Sequence, residues 1–348
     1  MGRMLALPDE WVWDSWIADD GERYHLFFLK APRGLGDPRL RHTSARIGHA
    51  TSTDLAHWDV HDDALAPAPG RWDDLALWTG SVARGDDGVW RLYYSGLSTS
   101  RGLGVNDQRI GMAESEDLFT WRRVGDGAPL VAPDARWYAT LNSLDPLDSL
   151  DSLDSLDRGD RGDRGDQGDQ GDAASATWRD PFVFKDPAGD GWHMLITARA
   201  AGAPRLRDGV VGHARSADML SWELGSPVSA PGPGFGELEV SQVRIVDGQP
   251  LLVFTCHPDQ QSPQQLSRFG RFCTWSVAGE SLTGPWELDR ARPFRGEPLL
   301  SAAPLIRRRN GTWALLGFRN FEPDAPARLE VVDPIPVALR DGELISLR

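Results

Sequence analysis

The sequence predicts an all-β protein: a five-bladed β-propeller with four antiparallel strands per blade and an active site at the central funnel. Three observations predict it. One pattern recurs along the chain, hairpin signals precede each copy, and helix-type periodicity is weak throughout.

The repeat is apolar-Gly-x-Ala-x-Ser-x-Asp-Leu/Met-x-x-Trp. It reads "IGHATSTDLAHWDV" over 47–60, "IGMAESEDLFTWRRV" over 110–124 and "VGHARSADMLSWEL" over 211–224, with a looser copy, "FCTWSVAGESLTGPWEL", over 272–288. The tryptophans are Trp58, Trp121, Trp222 and Trp286. The first and third gaps are each a little over sixty residues, whereas the middle one is near a hundred and holds an insertion. Ahead of each copy comes a strand-like run, a Gly- or Asp-containing turn and another run, as in "LWTGSVARGDDGVWRLYYSG". The pairs "DDG", "GDG", "VDG" and "RNG" favour tight hairpins, because Gly and Asn reach the positive φ those turns need. "LSAAPLIRRRNGTWALLGFRN" supplies a fifth such stretch. Units therefore begin near 11, 77, 177, 238 and 300, and strands repeated at this spacing close into a propeller. The Ser-x-Asp-Leu stretch is expected to bond its own backbone as a turn, which makes the repeated Asp and Trp structural.

One propeller domain is expected over 1–348. Within it, 142–176, "NSLDPLDSLDSLDSLDRGDRGDRGDQGDQGDAASA", is a short degenerate repeat without aromatics. Such a segment cannot bury enough apolar surface to order itself, so it is expected as a disordered loop between the second and third blades. Its Arg-Gly-Asp triplets follow from the simple repeat.

Composition narrows the function. The 348 residues carry a net charge of −14, the wrong sign for a phosphate-binding surface, so no nucleic-acid partner is expected. No apolar run reaches the roughly 18 residues of a membrane span, so no membrane partner is expected either. The N-terminal "MGRMLALPDEW" lacks the apolar core of a secretory signal, giving a cytoplasmic expectation, or a secreted one if the start site is wrong. The two cysteines, Cys256 and Cys273, are expected as free buried thiols. No zinc-ligand spacing occurs, and neither a metal nor a cofactor is expected. Fifteen tryptophans against four tyrosines serve the core, and such rings also stack on sugar faces.

In a propeller the first strand of each blade lines the channel. These strands bring Trp13, Asp14 and Trp16 from the first unit, Trp78, Thr79 and Ser81 from the second, Trp178, Arg179 and Asp180 from the third, and Glu237, Glu239 and Gln242 from the fourth; the fifth brings no acid. Three units thus place a carboxylate at nearly equivalent positions. In "VWDSW" the acid stands between large rings, where burial costs several kcal/mol unless it is paired or at work. Glu237 and Glu239 are two residues apart, on one face of a strand. Each raises the other's pKa, and a general acid at neutral pH needs such a raised value. Paired carboxylates of this kind cleave glycosidic bonds, with retention or inversion set by their separation.

These motifs resemble the five-bladed propeller clan acting on β-fructofuranosides. The likeness is greatest to glycoside hydrolase family 68, the levansucrases and inulosucrases, with the family 32 invertases as cousins. "VWDSW" is similar to that family's nucleophile motif, with Ile17 where Pro is usual. "WTGS" is similar to Trp-Ser-Gly-Ser, and "RDPF" matches Arg-Asp-Pro. "ELEVSQV" resembles Glu-x-Glu-Arg-Pro-x-Val, with Val240 and Ser241 in place of Arg-Pro. The resemblance implies a nucleophile at Asp14, an acid/base at Glu239 and a transition-state stabiliser at Asp180. It also implies substrate-binding roles for Trp13, Trp78, Ser81, Arg179, Glu237 and His257, and a carbohydrate substrate such as sucrose or another fructoside. Two other readings stand beside it: an inverting arabinanase- or xylosidase-like propeller, and a non-catalytic sugar-binding propeller.

Overall fold

The computed structural model describes residues 3–99, 107–125, 129–140, 177–187, 189, 191–319 and 329–348; the expected loop over 142–176 lies outside them. The described residues form six four-stranded antiparallel sheets. The first holds Glu10–Asp19, Tyr24–Pro32, Arg46–Ser52 and Asp59–Val60. The second holds Ala76–Arg84, Trp90–Leu97, Gln108–Ser115 and Arg122–Arg123. The third holds Trp178–Lys185, Trp192–Arg199, Gly209–Ser216 and Glu223–Leu224. The fourth holds Glu239–Val246, Gln249–Thr255, Thr274–Ala278 and Arg292–Pro293. The fifth holds Leu305–Arg307, Trp313–Leu315, Ile335–Arg340 and Glu343–Ser346. A sixth joins the short pieces Arg3–Leu5, Val331–Val332, Phe318–Arg319 and Leu300–Ser301.

The repeat forms the expected turn. Ser52 Oγ accepts from the Asp54 and Leu55 N–H groups, and Asp54 Oδ1 accepts from Ala56 and His57. Ser115 with Asp117, and Ser216 with Asp218, repeat the arrangement. Leu55, Leu118 and Met219 take left-handed backbone (φ 63°, 66° and 65°). Their buried side chains offset that strain. The motif glycine answers to packing: a Cβ at Gly48 would stand 2.5 Å from the Phe28 ring, and one at Gly111 2.4 Å from Trp72. The fourth copy differs. Its outer strand does not follow Trp286 at once but comes after the 3-10 turn Leu288–Arg290.

Successive sheets meet along their first strands. Ser81 Oγ donates to the Pro181 carbonyl at 2.7 Å and accepts from the Val183 N–H at 3.0 Å, tying the second sheet to the third. Gln242 does the same between the fourth and fifth, donating to the Ala303 carbonyl and accepting from Leu305 N–H. The Val12 N–H donates to Leu329 O at 2.9 Å, and Arg3–Leu5 pairs with Val331–Val332, so the two ends of the chain meet.

The first and third sheets each bury a histidine pair. His25 Nδ1 lies 3.0 Å from His49 Nε2, and His25 Nε2 lies 3.0 Å from Asp20 Oδ2. His193 Nδ1 lies 2.8 Å from His213 Nε2, and His193 Nε2 lies 3.1 Å from Asp186 Oδ2. A carboxylate only accepts, so His25 and His193 each donate from Nε2 and accept at Nδ1 from the partner ring. Burial pushes His49 down to about 3, and burial with the neighbouring His193 pushes His213 down to about 4. An unfolded histidine takes its proton below about 6.5. The penalty is therefore absent above that pH, grows as pH falls, and levels off only below the folded value. The stability lead of the wild type over His213→Gln should narrow by about 2 kcal/mol between pH 7 and pH 5, read from urea unfolding followed by tryptophan fluorescence.

Candidate active site

The acids sit where the first strands break register. In the first sheet Trp13 faces Leu29 and Ser15 faces Phe28, which leaves Asp14 as the extra residue of a bulge. In the second, Thr79 is extra between Trp78 and Gly80. In the third, Asp180 and Pro181 stand between the paired Arg179 and Phe182. In the fourth, Val240 and Ser241 stand between Glu239 and Gln242. A bulge re-aims a side chain and bends the strand, and it tolerates Pro181, which has no N–H for the ladder. Asp180 (φ 57°) and Val240 (φ 51°) both take left-handed backbone there.

The bulges bring three acids together. Asp14 accepts a short hydrogen bond from Thr79 Oγ1. Burial raises its pKa, opposed by the Thr79 bond and by the charges of Arg41 and His257. Asp180 Oδ2 accepts from Thr197 Oγ1 at 2.9 Å and from the Val240 N–H at 3.2 Å. Its pKa is pushed up to about 6, first by burial, with Arg179 opposing and Asp14 adding to the rise. Ser95 Oγ accepts from the Asp180 N–H and donates to the Thr79 carbonyl, locking two bulges together. Glu239 Oε1 accepts from Arg179 Nη2 at 2.6 Å, and its Oε2 lies 3.4 Å from His257 Nε2. Burial lifts Glu239 to about 7 against Arg179 and His257, with Glu237 and Asp180 adding to the rise.

Glu237 has the opposite setting. Its oxygens accept from Arg179 Nη2 (2.5 Å), Arg199 Nη2 (2.6 Å) and Thr177 Oγ1 (3.1 Å). Burial alone would raise its pKa, but the two guanidinium groups hold it well below the usual carboxylate range. One carboxylate is thus kept ionised while its neighbour two residues on is kept close to neutral. That split leaves one fixed anion beside one carboxyl able to give up a proton near neutral pH.

Trp13 and Trp78 are both buried beside His42, whose ring meets each of theirs edge-on. Trp78 Nε1 donates to the His42 carbonyl at 2.7 Å. The Arg41 guanidinium lies 5.6 Å from the centre of the Trp13 ring. Ser81 spends its hydroxyl between the second and third sheets, as described above. His257 stands by Glu239, and its charge also reaches Asp14. Sequence reasoning missed Arg41, His42, Thr197 and Arg199. Arg41 and His42 come from the short helical connection Pro38–Thr43, where no periodicity marks them. Thr197 and Arg199 did carry a signal: they alternate at the end of the strand paired with the Asp180 strand, so they share its site-facing side.

Residues 15–146 match the glycosyl hydrolases family 32 N-terminal domain. A raffinose invertase of Escherichia coli is 37% identical over 93 residues, a match covering 26% of this chain and 18% of the invertase. The chain thus spans under a fifth of that relative's length. Among solved structures, an inulosucrase from Halalkalicoccus jeotgali bound to kestose superposes with a TM-score of 0.70 at 22% identity, covering 98% of this chain and 88% of that one. A Bacillus subtilis levansucrase superposes with a TM-score of 0.71 at 13% identity, covering 100% and 88%. These likenesses run to both branches of the clan that the motifs resemble, and the fold is shared with them.

Arg199 neutralises Glu237 where little water reaches. Arg199→Met should cost about 3 kcal/mol in urea unfolding, because it strands part of a buried charge. Adding Glu237→Gln in the same chain should return part of that loss.

Proposed function

We propose that the protein is a retaining glycoside hydrolase or fructosyltransferase acting on β-fructofuranosides such as sucrose, through a covalent fructosyl-enzyme intermediate. The observation that carries this reading is the convergence of Asp14, Asp180 and Glu239 from three sheets, each at a first-strand bulge, with Glu239 lifted to about 7. The family 32 match over 15–146, which begins one residue after Asp14 and contains all of the Thr79 strand, supports it. The architecture fits five blades if Leu300–Ser301 and Leu305–Arg307 are two halves of one first strand. They are parted by Ala302 in left-handed backbone (φ 43°), and the sixth sheet is then the inner half of the fifth blade.

In the reaction, a carboxylate oxygen of Asp14 attacks the anomeric carbon of the fructosyl group. The protonated Glu239 gives its proton to the departing glycosidic oxygen. The Thr79 hydroxyl and the Arg41 charge favour the ionised Asp14 that the attack requires. Glu239, now a carboxylate, removes a proton from water or from an acceptor sugar, whose oxygen displaces Asp14 and frees the enzyme. Water as acceptor gives hydrolysis; a sugar gives transfer. Asp180, fixed by Thr197 and the Val240 N–H, faces the fructosyl hydroxyls, and Trp13 and Trp78 wall the pocket. Arg179 holds Glu239 in place from the side of Glu237.

Purified protein given sucrose should release glucose, with fructose equal to it for hydrolysis and below it for transfer. Asp14→Asn and Glu239→Gln should each lower turnover by at least about 10³-fold with the fold intact by circular dichroism. kcat/KM should fall as pH rises past about 7, because Glu239 must carry its proton to act. A first product of inverted configuration, or variants as fast as the wild type, would overturn the assignment.

A further inference from the structure

Behind the acid/base carboxyl lies a thiol that this mechanism does not use. Cys256 follows the strand Gln249–Thr255, and Cys273 precedes the strand Thr274–Ala278. The Cys256 N–H donates to the Cys273 carbonyl at 2.9 Å, so the two extend the ladder by one step. Both are buried and free, but their sulfurs meet different partners. Cys256 Sγ lies 3.4 Å from the Gln260 carbonyl oxygen and 3.8 Å from that of His257. Cys273 Sγ lies 3.7 Å from His257 Nδ1. The other nitrogen of that ring, Nε2, is the one 3.4 Å from Glu239 Oε2. Thiol, imidazole and carboxyl stand in sequence, and both ring nitrogens are engaged.

We propose that Cys273 is a positioning residue for the acid/base carboxyl: through Nδ1 it holds His257 oriented and charged, with Nε2–H turned to Glu239. The inference rests on Glu239 being the acid/base of the proposed reaction. The charged ring carries a proton on each nitrogen, so Nδ1–H donates to the Cys273 sulfur while Nε2–H faces Glu239. Burial works against the charged ring, yet Cys273, then Glu239 and Asp259, more than offset it and lift His257 to about 10. Cys256 has no such partner, and burial pushes its thiol well up.

The groups around the relay fix the sign of its effect. His257 meets Cys273 and Asp259 from its own sheet and Glu239 from the first strand of that sheet, and its charge is felt by Asp14 and His42 of the first. Glu239 meets Arg179 and Asp180 from the third sheet, Glu237 from its own chain segment, and His257. Without the Cys273 sulfur, His257 gives up its proton at lower pH. Glu239 then loses one of its two cations, holds its own proton more tightly, and the alkaline fall in kcat/KM moves to higher pH.

The test uses the full chain labelled with ¹⁵N-histidine, the His257 signal being assigned by its loss in His257→Gln. In the wild type the ring should stay an imidazolium through pH 8. In Cys273→Ala its titration should drop by more than one pH unit, and the alkaline limb of kcat/KM on sucrose should rise by about one unit. Cys273→Ser keeps a side chain of similar size, but its shorter C–O bond draws the acceptor back from Nδ1, so it should move both readings in the same direction and guards against a packing defect in the alanine variant. Unchanged His257 titration in both folded variants would overturn the proposal. If the wild type cleaves no fructoside at any pH, the proposed function falls, while the His257 titration still decides whether Cys273 governs the ring.

Discussion

The site depends on the Arg179 guanidinium. One Nη2 contacts Glu237 at 2.5 Å and Glu239 at 2.6 Å, and Nε lies 3.4 Å from Asp180. Three acids within reach of one buried cation cannot all ionise without severe cost. The structure resolves the conflict by adding Arg199, which takes a second share of Glu237. Glu237 becomes a fixed anion, and Arg179 is left too divided to hold Glu239 fully ionised. Burial raises the affinity of Glu239 for its proton, and the anion that Arg199 helps to fix at Glu237 adds to that rise. A proton held at Glu239 and a fixed charge at Glu237 are two results of one balance of burial and charge.

The scaffold turns that balance into geometry through the bulges. A regular first strand would alternate its side chains between the two faces of its sheet. One extra residue in each of four first strands lets Asp14, Thr79, Asp180 and the Glu239 segment turn toward a shared space. The bonds across them then link sheet to sheet: Thr79 to Asp14, Ser95 to Asp180, the Val240 N–H to Asp180. The residues proposed to do the chemistry are therefore also those that hold adjacent sheets in register, and the same contacts that close the fold fix the site's geometry.

Much of this was legible in the sequence because it is periodic or local. The Gly-x-Ala-x-Ser-x-Asp turns and the hairpins rest on residues within a few positions of one another, and they stand as the pattern implies. "VWDSW", "RDPF" and "GELEVSQV" located the three acids for the same reason. What the sequence did not disclose is long-range. No pattern in "DPRLRHT" says that Arg41 and His42 will lie beside Trp13 and Trp78, because that depends on how a connection folds back over a neighbouring strand. The sixth sheet was unexpected because Ala302 interrupts a run that reads as continuous. The late outer strand of the fourth sheet was hidden by the looser copy of its repeat.

Val240 shows why a departure from a motif need not remove a site. A β-branched residue at φ 51° is an outlier, and such backbone costs about 1–3 kcal/mol. The conformation turns the Val240 N–H onto Asp180 Oδ2, while the next residue, Ser241, donates its hydroxyl to the Leu238 carbonyl at 3.0 Å. The backbone here thus does two things that do not depend on the side chain at 240: it anchors Asp180 and closes the bulge that aims Glu239. The positive charge that an arginine at 240 would bring is met instead by Arg179, Arg199 and His257, which reach the same acids from other strands and loops. Where the backbone conformation carries the contact and the charge comes from elsewhere, the side chain at 240 is free to change.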